Sequence, residues 1–240
     1  MQNKIDSGII EYKMSIGEYK NRIHLRIEED GHAVLLVNAN QLYHFNPSAA
    51  LMAHMILEKN EDSAVVKQLQ STFNVKKDQA FADFNQFKAD LEGIISPLED
   101  QCPICDLNLD TFAPFSRKPS APYRMDLALT YRCNNTCVHC YNESDRLKRE
   151  LDIDQWKKVL DRVWKLGIPH VVFTGGEPTL VQFLPELVTH AERLGMITGL
   201  NTNGRKFSDP AYIDALVSAG LDHVQITLES HDAEIHDHIT

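Results

Sequence analysis

Residues 170–178 read His-Val-Val-Phe-Thr-Gly-Gly-Glu-Pro, a short apolar run that ends in a glycine-rich turn. The apolar run is typical of a buried strand, and the amphipathic pattern over residues 183–194 predicts a helix directly after it. The same alternation extends in both directions along the chain. We predict strands at 125–130, 170–174, 197–202 and 223–228 and helices at 153–166, 183–194 and 210–219. Strand-then-helix units in series favour a parallel sheet that is open or closes into a barrel.

Three glycines, Gly167, Gly195 and Gly220, each follow a predicted helix, where a left-handed residue closes the last turn. A complete eight-unit barrel takes about 250 residues, so one unit takes about 30. Residues 121–240 therefore have room for about four units, and the chain stops just as a fourth helix should begin. Because four parallel strands leave a sheet edge and a face uncovered, we expect a fragment of a longer chain or a protein that takes its missing half from a partner.

The first ninety residues show a different pattern. Residues 23–27 alternate apolar and polar side chains, which predicts a half-buried strand, and residues 33–37 and 41–45 are its expected partners. Apolar stripes at helical spacing then predict three helices, with the apolar positions of the last two at Val65, Val66, Leu69, Phe73, Phe81, Phe84, Phe87, Leu91 and Ile95. We predict a domain at 1–96, a proline-rich linker at 97–122 and an α/β domain at 123–240.

Composition narrows the class of protein. The 240 residues are 43% hydrophobic and 24% charged, which excludes a mainly disordered chain, and the net charge of -10 argues against a nucleic-acid partner. The sequence has no membrane-spanning apolar run and no signal peptide at its start, so we expect a cytoplasmic protein without a membrane partner. All 5 cysteines fall between positions 102 and 140. This grouping favours metal or cluster ligation over a disulfide framework.

Three cysteines stand on one short loop, Cys133-Asn-Asn-Thr-Cys137-Val-His-Cys140-Tyr141, directly after the first predicted strand of the α/β domain. Thiolates are the ligands of iron–sulfur clusters, and three of them on a four-iron cluster leave one iron open to another ligand. A zinc site that adds His139 to the three thiols is an alternative. Buried thiols that act as small apolar side chains are another.

The spacing C-x-x-x-C-x-x-C resembles the radical SAM superfamily, and so does the segment Thr174-Gly-Gly-Glu-Pro178 at the end of the second predicted strand. The resemblance implies a partial (β/α) barrel with about four units present. It also implies a 4Fe-4S cluster on Cys133, Cys137 and Cys140 that binds S-adenosylmethionine and cleaves it to a 5'-deoxyadenosyl radical. In the same way, Glu177 and the backbone of Gly175 and Gly176 would bind the methionine amine.

The family suggests further contacts to S-adenosylmethionine at the strand ends. His139 stands where relatives commonly have an aromatic residue near the adenine, and Tyr141 offers a second ring. Hydroxyls and acids that would reach the methionine carboxylate and the ribose follow the third and fourth predicted strands, at Thr202, Asn203, Thr227 and Glu229. No residue is singled out as catalytic in its own right.

Two other groups of residues suggest metal binding. Cys102-Pro-Ile-Cys105 is half of a zinc or cluster site, a redox pair or two loop cysteines, and our hypothesis is that it supplies two ligands to a second metal centre. His231, His236 and His238 stand among acidic residues near the end of the sequence, and we expect them to be solvated.

Residues 1–96 resemble the PqqD-like peptide-recognition domain, a small winged helix-turn-helix found beside radical SAM enzymes that act on peptides. The likeness lies in residues 43–47, in the Ala49-Ala50 helix and in residues 91–95. It implies that a leader peptide adds as an extra strand to an exposed edge near residues 23–27. A helical cap that only packs on the catalytic domain is the alternative.

Together these resemblances imply a radical SAM enzyme, related to SPASM-type maturases, that modifies a precursor peptide and takes electrons from a donor such as flavodoxin or ferredoxin. A second interpretation keeps the chemistry but takes a tetrapyrrole or another small molecule as substrate, because the Cys-x-His-Cys-Tyr run also resembles members of the haem pathway. A third interpretation is a non-catalytic module that binds a metal or a partner.

Overall fold

The computed structural model describes residues 5–16, 19–95, 118–142 and 149–240. The chain divides into two compact units, Met1–Ser120 and Ala121–Thr240. The division falls within the segment 97–122, which the sequence predicts as a linker. Cys102 and Cys105, the candidates for a second metal centre, lie outside the described residues.

Four antiparallel strands form the sheet of the first unit, in the order β1-β2-β3-β4. Their bounds are β1 Gly8–Ile16, β2 Tyr19–Ile27, β3 Ala33–Val37 and β4 Gln41–Phe45. The strands β3 and β4 lie where the sequence predicts them, whereas β1 was not predicted. Because β2 pairs with β1 on one side and with β3 on the other, residues 23–27 are not an exposed edge, and that prediction is wrong.

Residues 23–27 are also buried on both faces of the sheet, so the prediction of a half-buried strand is wrong as well. Ile23, Leu25 and Ile27 belong to the apolar core. The alternate side chains His24 and Arg26 are only 1% and 4% exposed. Arg26 donates a hydrogen bond of 3.0 Å to Glu28 Oε1, which partly compensates the burial of its charge.

Three helices follow the sheet: α1 Pro47–Leu57, α2 Asp62–Phe73 and α3 Lys77–Ile95. Asn46 caps α1, since its side-chain oxygen accepts a 2.9 Å hydrogen bond from the Ala49 amide, and Pro47 occupies the first turn. The apolar stripes predicted for α2 and α3 are partly wrong, because Phe73 and Phe81 are exposed. Phe84 is buried as predicted, and the small side chain of Ala80, which was not predicted, is buried as well.

The second unit contains the predicted parallel sheet, in the order β5-β6-β7-β8. Its strands are β5 Arg124–Thr130, β6 His170–Gly175, β7 Ile197–Thr202 and β8 His223–Ile226, and its helices are α4 Ile153–Lys165, α5 Leu184–Leu194, α6 Pro210–Ala219 and α7 Ala233–Ile239. The helix α7 corrects the expectation that the sequence stops before a fourth helix. Asp232 caps it by accepting hydrogen bonds from the amides of Glu234 and Ile235.

Local sequence signals explain where these helices begin and end. Asp152 and Gln155 form a reciprocal capping box at the start of α4. Gly195 and Gly220 close α5 and α6 with φ angles of 93° and 96°, as predicted. None of the helices within the described ranges has the length and hydropathy that a bilayer span requires.

Alternation along the strands gives the parallel sheet two different faces. Leu127, Val171, Phe173 and Leu200 belong to the core cluster that also contains the buried residues of the helices. Because all four strands run in parallel, their carboxyl ends meet at one edge of the sheet. The loops that follow the strands therefore converge at this edge.

Candidate functional site

A cleft of about 330 Å³ lies at the carboxyl edge of the parallel sheet. The loop after β5 and the ends of β6, β7 and β8 contribute its lining. All three cysteines of the predicted cluster loop line it. The other lining residues are Asn135, His139, Tyr141, Asn142, Thr174, Gly175, Gly176, Asn201, Thr202, Asn203, Arg205, Thr227, Glu229, His236 and Thr240.

The cysteine loop is held at its start by an ion pair. Arg132 donates two hydrogen bonds to Glu150, of 2.8 and 2.9 Å, and the Thr130 hydroxyl donates to the same carboxylate. The hydrogen bond from Arg132, followed by that from Thr130, lowers the pKa of Glu150 against the opposing effect of burial. No motif marks Glu150, so sequence reasoning missed it.

The three thiols are free and half-buried. The backbone amide of Asn135 donates to Cys133 Sγ, and the backbone amide of Asn142 donates to Cys140 Sγ, each at 3.4 Å. Hydrogen bonds to the cysteine sulfurs are among the features by which a protein adjusts a bound iron–sulfur cluster. The residues present thus fit an iron–sulfur cluster.

The alternative zinc site would need His139 beside the three thiols. His139 Nε2 lies 3.2 Å from Glu229 Oε1, so this ring is turned toward the end of β8. Among the residues that the structure describes, no group of three His, Cys, Asp or Glu side chains converges tightly enough to hold a single metal ion.

The helix α7 supports the tip of the cysteine loop. The Thr136 amide donates to the Thr240 carbonyl at 3.2 Å, and the Val138 amide donates to the Ile239 carbonyl at 2.9 Å. These carbonyls belong to the last turn of a helix, where they have no partner within the helix. The fourth strand–helix unit therefore contributes directly to the position of the loop.

The glycine segment packs directly against the strand that precedes the cysteines. The Gly176 amide donates to the Thr130 carbonyl at 2.7 Å. A β-carbon on Gly175 would lie 2.2 Å from the Thr130 oxygen, and one on Gly176 would lie 2.3 Å from the Arg132 oxygen. Gly175 also has a φ of 139°, which L side chains rarely adopt. Two glycines are therefore required here by contact with the neighbouring backbone, apart from any ligand.

Glu177 is held by hydrogen bonds from other residues of the protein. Its side chain is fully buried, with 0% exposure. Its carboxylate accepts hydrogen bonds from the Thr179 amide and hydroxyl, at 3.0 and 2.6 Å, from the Thr202 hydroxyl at 2.7 Å and from the Asn203 amide at 2.8 Å. The contact of this carboxylate with the methionine amine, which the resemblance implies, stays a prediction. Gly175 and Gly176 do line the cleft.

Burial, with a further contribution from the charge of Glu177, raises the pKa of Tyr212 to about 12. This tyrosine packs against the apolar core of the second unit. The buried Glu177 carboxylate therefore influences the pKa of Tyr212 in addition to its own hydrogen-bond partners.

The remaining predicted residues lie around the cleft. Thr227 and Glu229 line it from the end of β8, whereas Tyr141 lines it with 95% of its side chain exposed. His236 Nδ1 accepts a 3.2 Å hydrogen bond from the Glu229 amide. His236 is thus part of the cleft, which corrects the expectation that it is simply solvated, while His231 and His238 are exposed as expected.

Besides His236, sequence reasoning missed six polar residues of the lining: Asn135, Asn142, Thr174, Asn201, Arg205 and Thr240. Thr174 and Asn201 lie near the carboxyl ends of predicted strands, and this position was the available signal for them. Asn135 and Arg205 are only neighbours of predicted residues, and no spacing rule marks them.

A family model and several known proteins match the part of the chain that contains this cleft. Residues 127–240 match the family model of the radical SAM superfamily. A PqqA peptide cyclase of Xanthomonas campestris pv. campestris is 38% identical over 120 residues, which are 49% of this chain and 32% of that relative. A PqqA peptide cyclase of Rhodopseudomonas palustris is 41% identical over 120 residues, which are 49% of this chain and 32% of that relative. The chain spans about a third of the length of these curated relatives.

Solved structures show a similar fold. Streptococcus suis SuiB bound to S-adenosylmethionine has a TM-score of 0.57 and 14% identity, with 90% of this chain and 49% of that chain covered. SuiB bound to the precursor peptide SuiA has the same TM-score and 13% identity, with 96% and 51% covered. At this identity the likeness concerns the fold alone. Residues 127–240 are therefore similar in sequence to the radical SAM superfamily, and the cysteine-lined cleft lies within this part of the chain.

Proposed function

We propose that this protein is a radical SAM enzyme that modifies a peptide. One observation carries the proposal: three free thiols line one cleft together with two glycines that pack against the strand before the cysteine loop. Backbone amides point at two of the three sulfurs. This combination suits a cluster with one iron left for a small ligand.

Cys133, Cys137 and Cys140 would hold the 4Fe-4S cluster, and S-adenosylmethionine would occupy the rest of the cleft. When bound, the cluster supplies the electron that cleaves S-adenosylmethionine to methionine and a 5'-deoxyadenosyl radical. The protein contributes position and enclosure, because a radical of this kind abstracts hydrogen from whichever C–H bond lies closest.

The polar residues of the cleft suit a zwitterionic nucleotide. Arg205 supplies a guanidinium group for a carboxylate, and Glu229 supplies acceptors for hydroxyl groups. Glu229 also pairs with His139, which keeps that imidazole at the rim of the cleft beside the exposed ring of Tyr141. These rings are our candidates for contact with the adenine.

A precursor peptide is the proposed substrate. The sequence relatives are named peptide cyclases, and SuiB has been crystallised with a precursor peptide. A PqqD-like winged helix-turn-helix in the first unit would bind the leader of that peptide. A flavodoxin or ferredoxin is the proposed electron donor.

The first unit contains a groove that suits such a leader. The sheet has its two outer strands at β1 and β4. A groove of about 470 Å³ borders the start of β1 and is lined by Ile5, Asp6, Ile10, Leu51, His54, Met55 and Gln68. A peptide that adds to β1 by main-chain hydrogen bonds could place alternate side chains in this groove.

The cluster is tested by anaerobic reconstitution of the full chain. We expect the parent protein to take up iron and sulfide and to release 5'-deoxyadenosine from S-adenosylmethionine under a strong reductant. A Cys137→Ala variant should lose most of both. Zinc in place of iron and sulfide would instead support the non-catalytic interpretation.

The same measurement addresses the second metal centre. A variant with Cys102→Ala and Cys105→Ala should retain a cluster on the other three cysteines and lose iron only if the second centre exists. Iron content equal to that of the parent would exclude the second centre.

The groove is tested by titration with a candidate precursor peptide. We expect Met55→Glu, which places a charge in the groove, to weaken binding about tenfold. Ser63→Glu adds the same charge at an exposed position of α2 and is the matched control. Equal affinity of both variants would move the peptide site away from β1, and tetrapyrrole binding without peptide binding would favour the small-molecule interpretation.

A further inference from the structure

Two asparagine side chains connect the cysteine loop to the end of β7. Asn203 Nδ2 donates a 2.8 Å hydrogen bond to Asn134 Oδ1. Asn134 stands between Cys133 and Cys137, and Asn203 directly follows β7. The contact therefore joins the loop that carries the thiols to a strand end that is 69 residues away.

The Asn203 side chain is oriented by its own local contacts. Its Oδ1 accepts a 3.0 Å hydrogen bond from the Arg205 amide, so the amide nitrogen points away from that turn and toward Asn134. The Asn203 backbone amide donates to Glu177 Oε2 at 2.8 Å. The donor that reaches the cysteine loop is thus held at both its side chain and its backbone.

Glu177 holds the backbone of Asn203 in place. It is fully buried, and its other oxygen accepts hydrogen bonds from Thr179 and Thr202. A buried carboxylate that is satisfied by several donors has little freedom to move. A continuous path of hydrogen bonds therefore runs from Glu177 through Asn203 to Asn134.

We infer that Glu177 and Asn203 are positioning residues, which hold the cysteine loop in place through Asn134 before any cluster is bound. The relevance of this position for catalysis rests on the proposed function. The physical benefit is preorganisation, because a loop that is ordered in advance loses less entropy when its thiols bind a ligand. Asn203 thereby acts on the cluster through the loop.

Three substitutions distinguish the loss of the Asn134–Asn203 hydrogen bond from a general loss of stability. Asn203→Asp keeps the oxygen that accepts from Arg205 but replaces the donor to Asn134 by a second oxygen. Asn134→Ala removes the acceptor from the other side. Asn134→Asp retains an acceptor and serves as the conservative variant that should preserve the contact.

The first readout is amide hydrogen exchange of residues 133–140 in the cluster-free full-length chain. We expect exchange about two- to tenfold faster in Asn203→Asp and in Asn134→Ala, and parental rates in Asn134→Asp. The double variant Asn134→Ala/Asn203→Asp should exchange no faster than Asn134→Ala alone, since both changes break one contact. Exchange at β3 in the first unit should not change.

Parental exchange in both single variants, or additive effects in the double variant, would overturn the inference. If Asn203→Asp does not fold, Asn134→Ala and its Asp counterpart carry the test at a loop position. The second readout is the electron paramagnetic resonance spectrum of the reduced, reconstituted protein. We expect altered g-values in Asn203→Asp and Asn134→Ala and a parental spectrum in Asn134→Asp, which a merely structural role would not produce.

The two proposals can fail separately. Faster loop exchange in a chain that takes up no iron and sulfide would leave the positioning network in place and refute the radical SAM function. Normal cluster assembly with unchanged loop exchange and an unchanged spectrum in the variants would refute the positioning network and leave the radical SAM function in place.

Discussion

The two ends of the parallel sheet use polar residues in different ways. At the amino end, His170 and His223 begin β6 and β8, and their Nε2 atoms lie 2.9 Å apart across the intervening strand β7. At the carboxyl end, the thiols and several polar side chains open onto a cleft. The amino end pairs its polar groups with each other, while the carboxyl end leaves groups available to a ligand.

Glycines make both arrangements possible, but against different neighbours. Gly199 in β7 leaves space for the imidazole of His223, whose Cε1 would lie 2.2 Å from an added β-carbon. Gly176 leaves space for backbone atoms of Tyr131 and Arg132. A side chain can rotate away from a new methyl group, whereas a backbone fixed by hydrogen bonds cannot. The carboxyl end is therefore the more rigidly specified of the two.

The largest effect is expected at the carboxyl end, from Gly176→Ala. The new methyl group would lie 2.3 Å from the Arg132 oxygen and 2.7 Å from the Tyr131 oxygen. We expect a loss of roughly 3 kcal/mol in the free energy of unfolding, together with loss of cluster uptake. Denaturant titration and iron analysis measure the two effects. Parental stability would show that the glycine segment is not clamped against the cysteine loop.

The second effect concerns Glu177→Gln in the buried hydrogen-bond network. The two backbone amides that donate to Glu177 require acceptors, and a glutamine presents a donor on one side. We expect a loss of about 2 kcal/mol in the free energy of unfolding. Glu186→Gln on the exposed surface of α5 is the control and should be nearly neutral. A loss equal to that of the control would mean that the buried carboxylate is dispensable.

Sequence patterns predicted the second unit closely because its elements are locally determined. The strand β7 and the helix α6 have the predicted bounds, since an apolar run defines the strand and Asp209, Pro210 and Gly220 mark the ends of the helix. The cysteines and glycines of the cleft were also recognisable, because their chemistry depends on short spacings within one loop.

The first unit shows what local patterns do not determine. The strand β1 was missed although Ile10, Tyr12 and Met14 alternate with charged residues. More importantly, strand order is a property of pairing between segments, so the sequence could not show that β1 covers the edge of β2. The burial of His24 and Arg26 likewise depends on tertiary packing.

Contacts within the site were unpredictable for the same reason. The pairs Asn134–Asn203 and His139–Glu229 join residues that are far apart in sequence. The burial of Glu177 also depends on segments that are distant in sequence. Residue type indicated which side chains matter, but only the fold determines their partners.

The third effect returns to the amino end, where Gly199→Ala should be milder than Gly176→Ala. The three atoms nearest to the added methyl group all belong to the His223 ring, which can rotate at the cost of its contact with His170. We expect a loss of about 1 kcal/mol in the free energy of unfolding and unchanged cluster uptake. A loss as large as that of Gly176→Ala would remove the difference between the two ends.

The smallest effect is a pH dependence of the amino end. Burial lowers the pKa of His223 from its ordinary value of 6.5, the charge of Asp222 opposes this shift and that of Arg124 adds to it. Because the folded state disfavours the protonated ring, the pair should stabilise the fold fully above about pH 6.5 and lose this contribution as the pH falls through the lowered pKa. Unfolding should be measured from about pH 7.5, above the ordinary histidine pKa of about 6.5, down to about pH 5 for the parent and for His223→Gln. The parent should lose more stability on acidification than the variant, since other titrating groups act equally in both, and parallel curves would show that the histidine pair does not respond to pH.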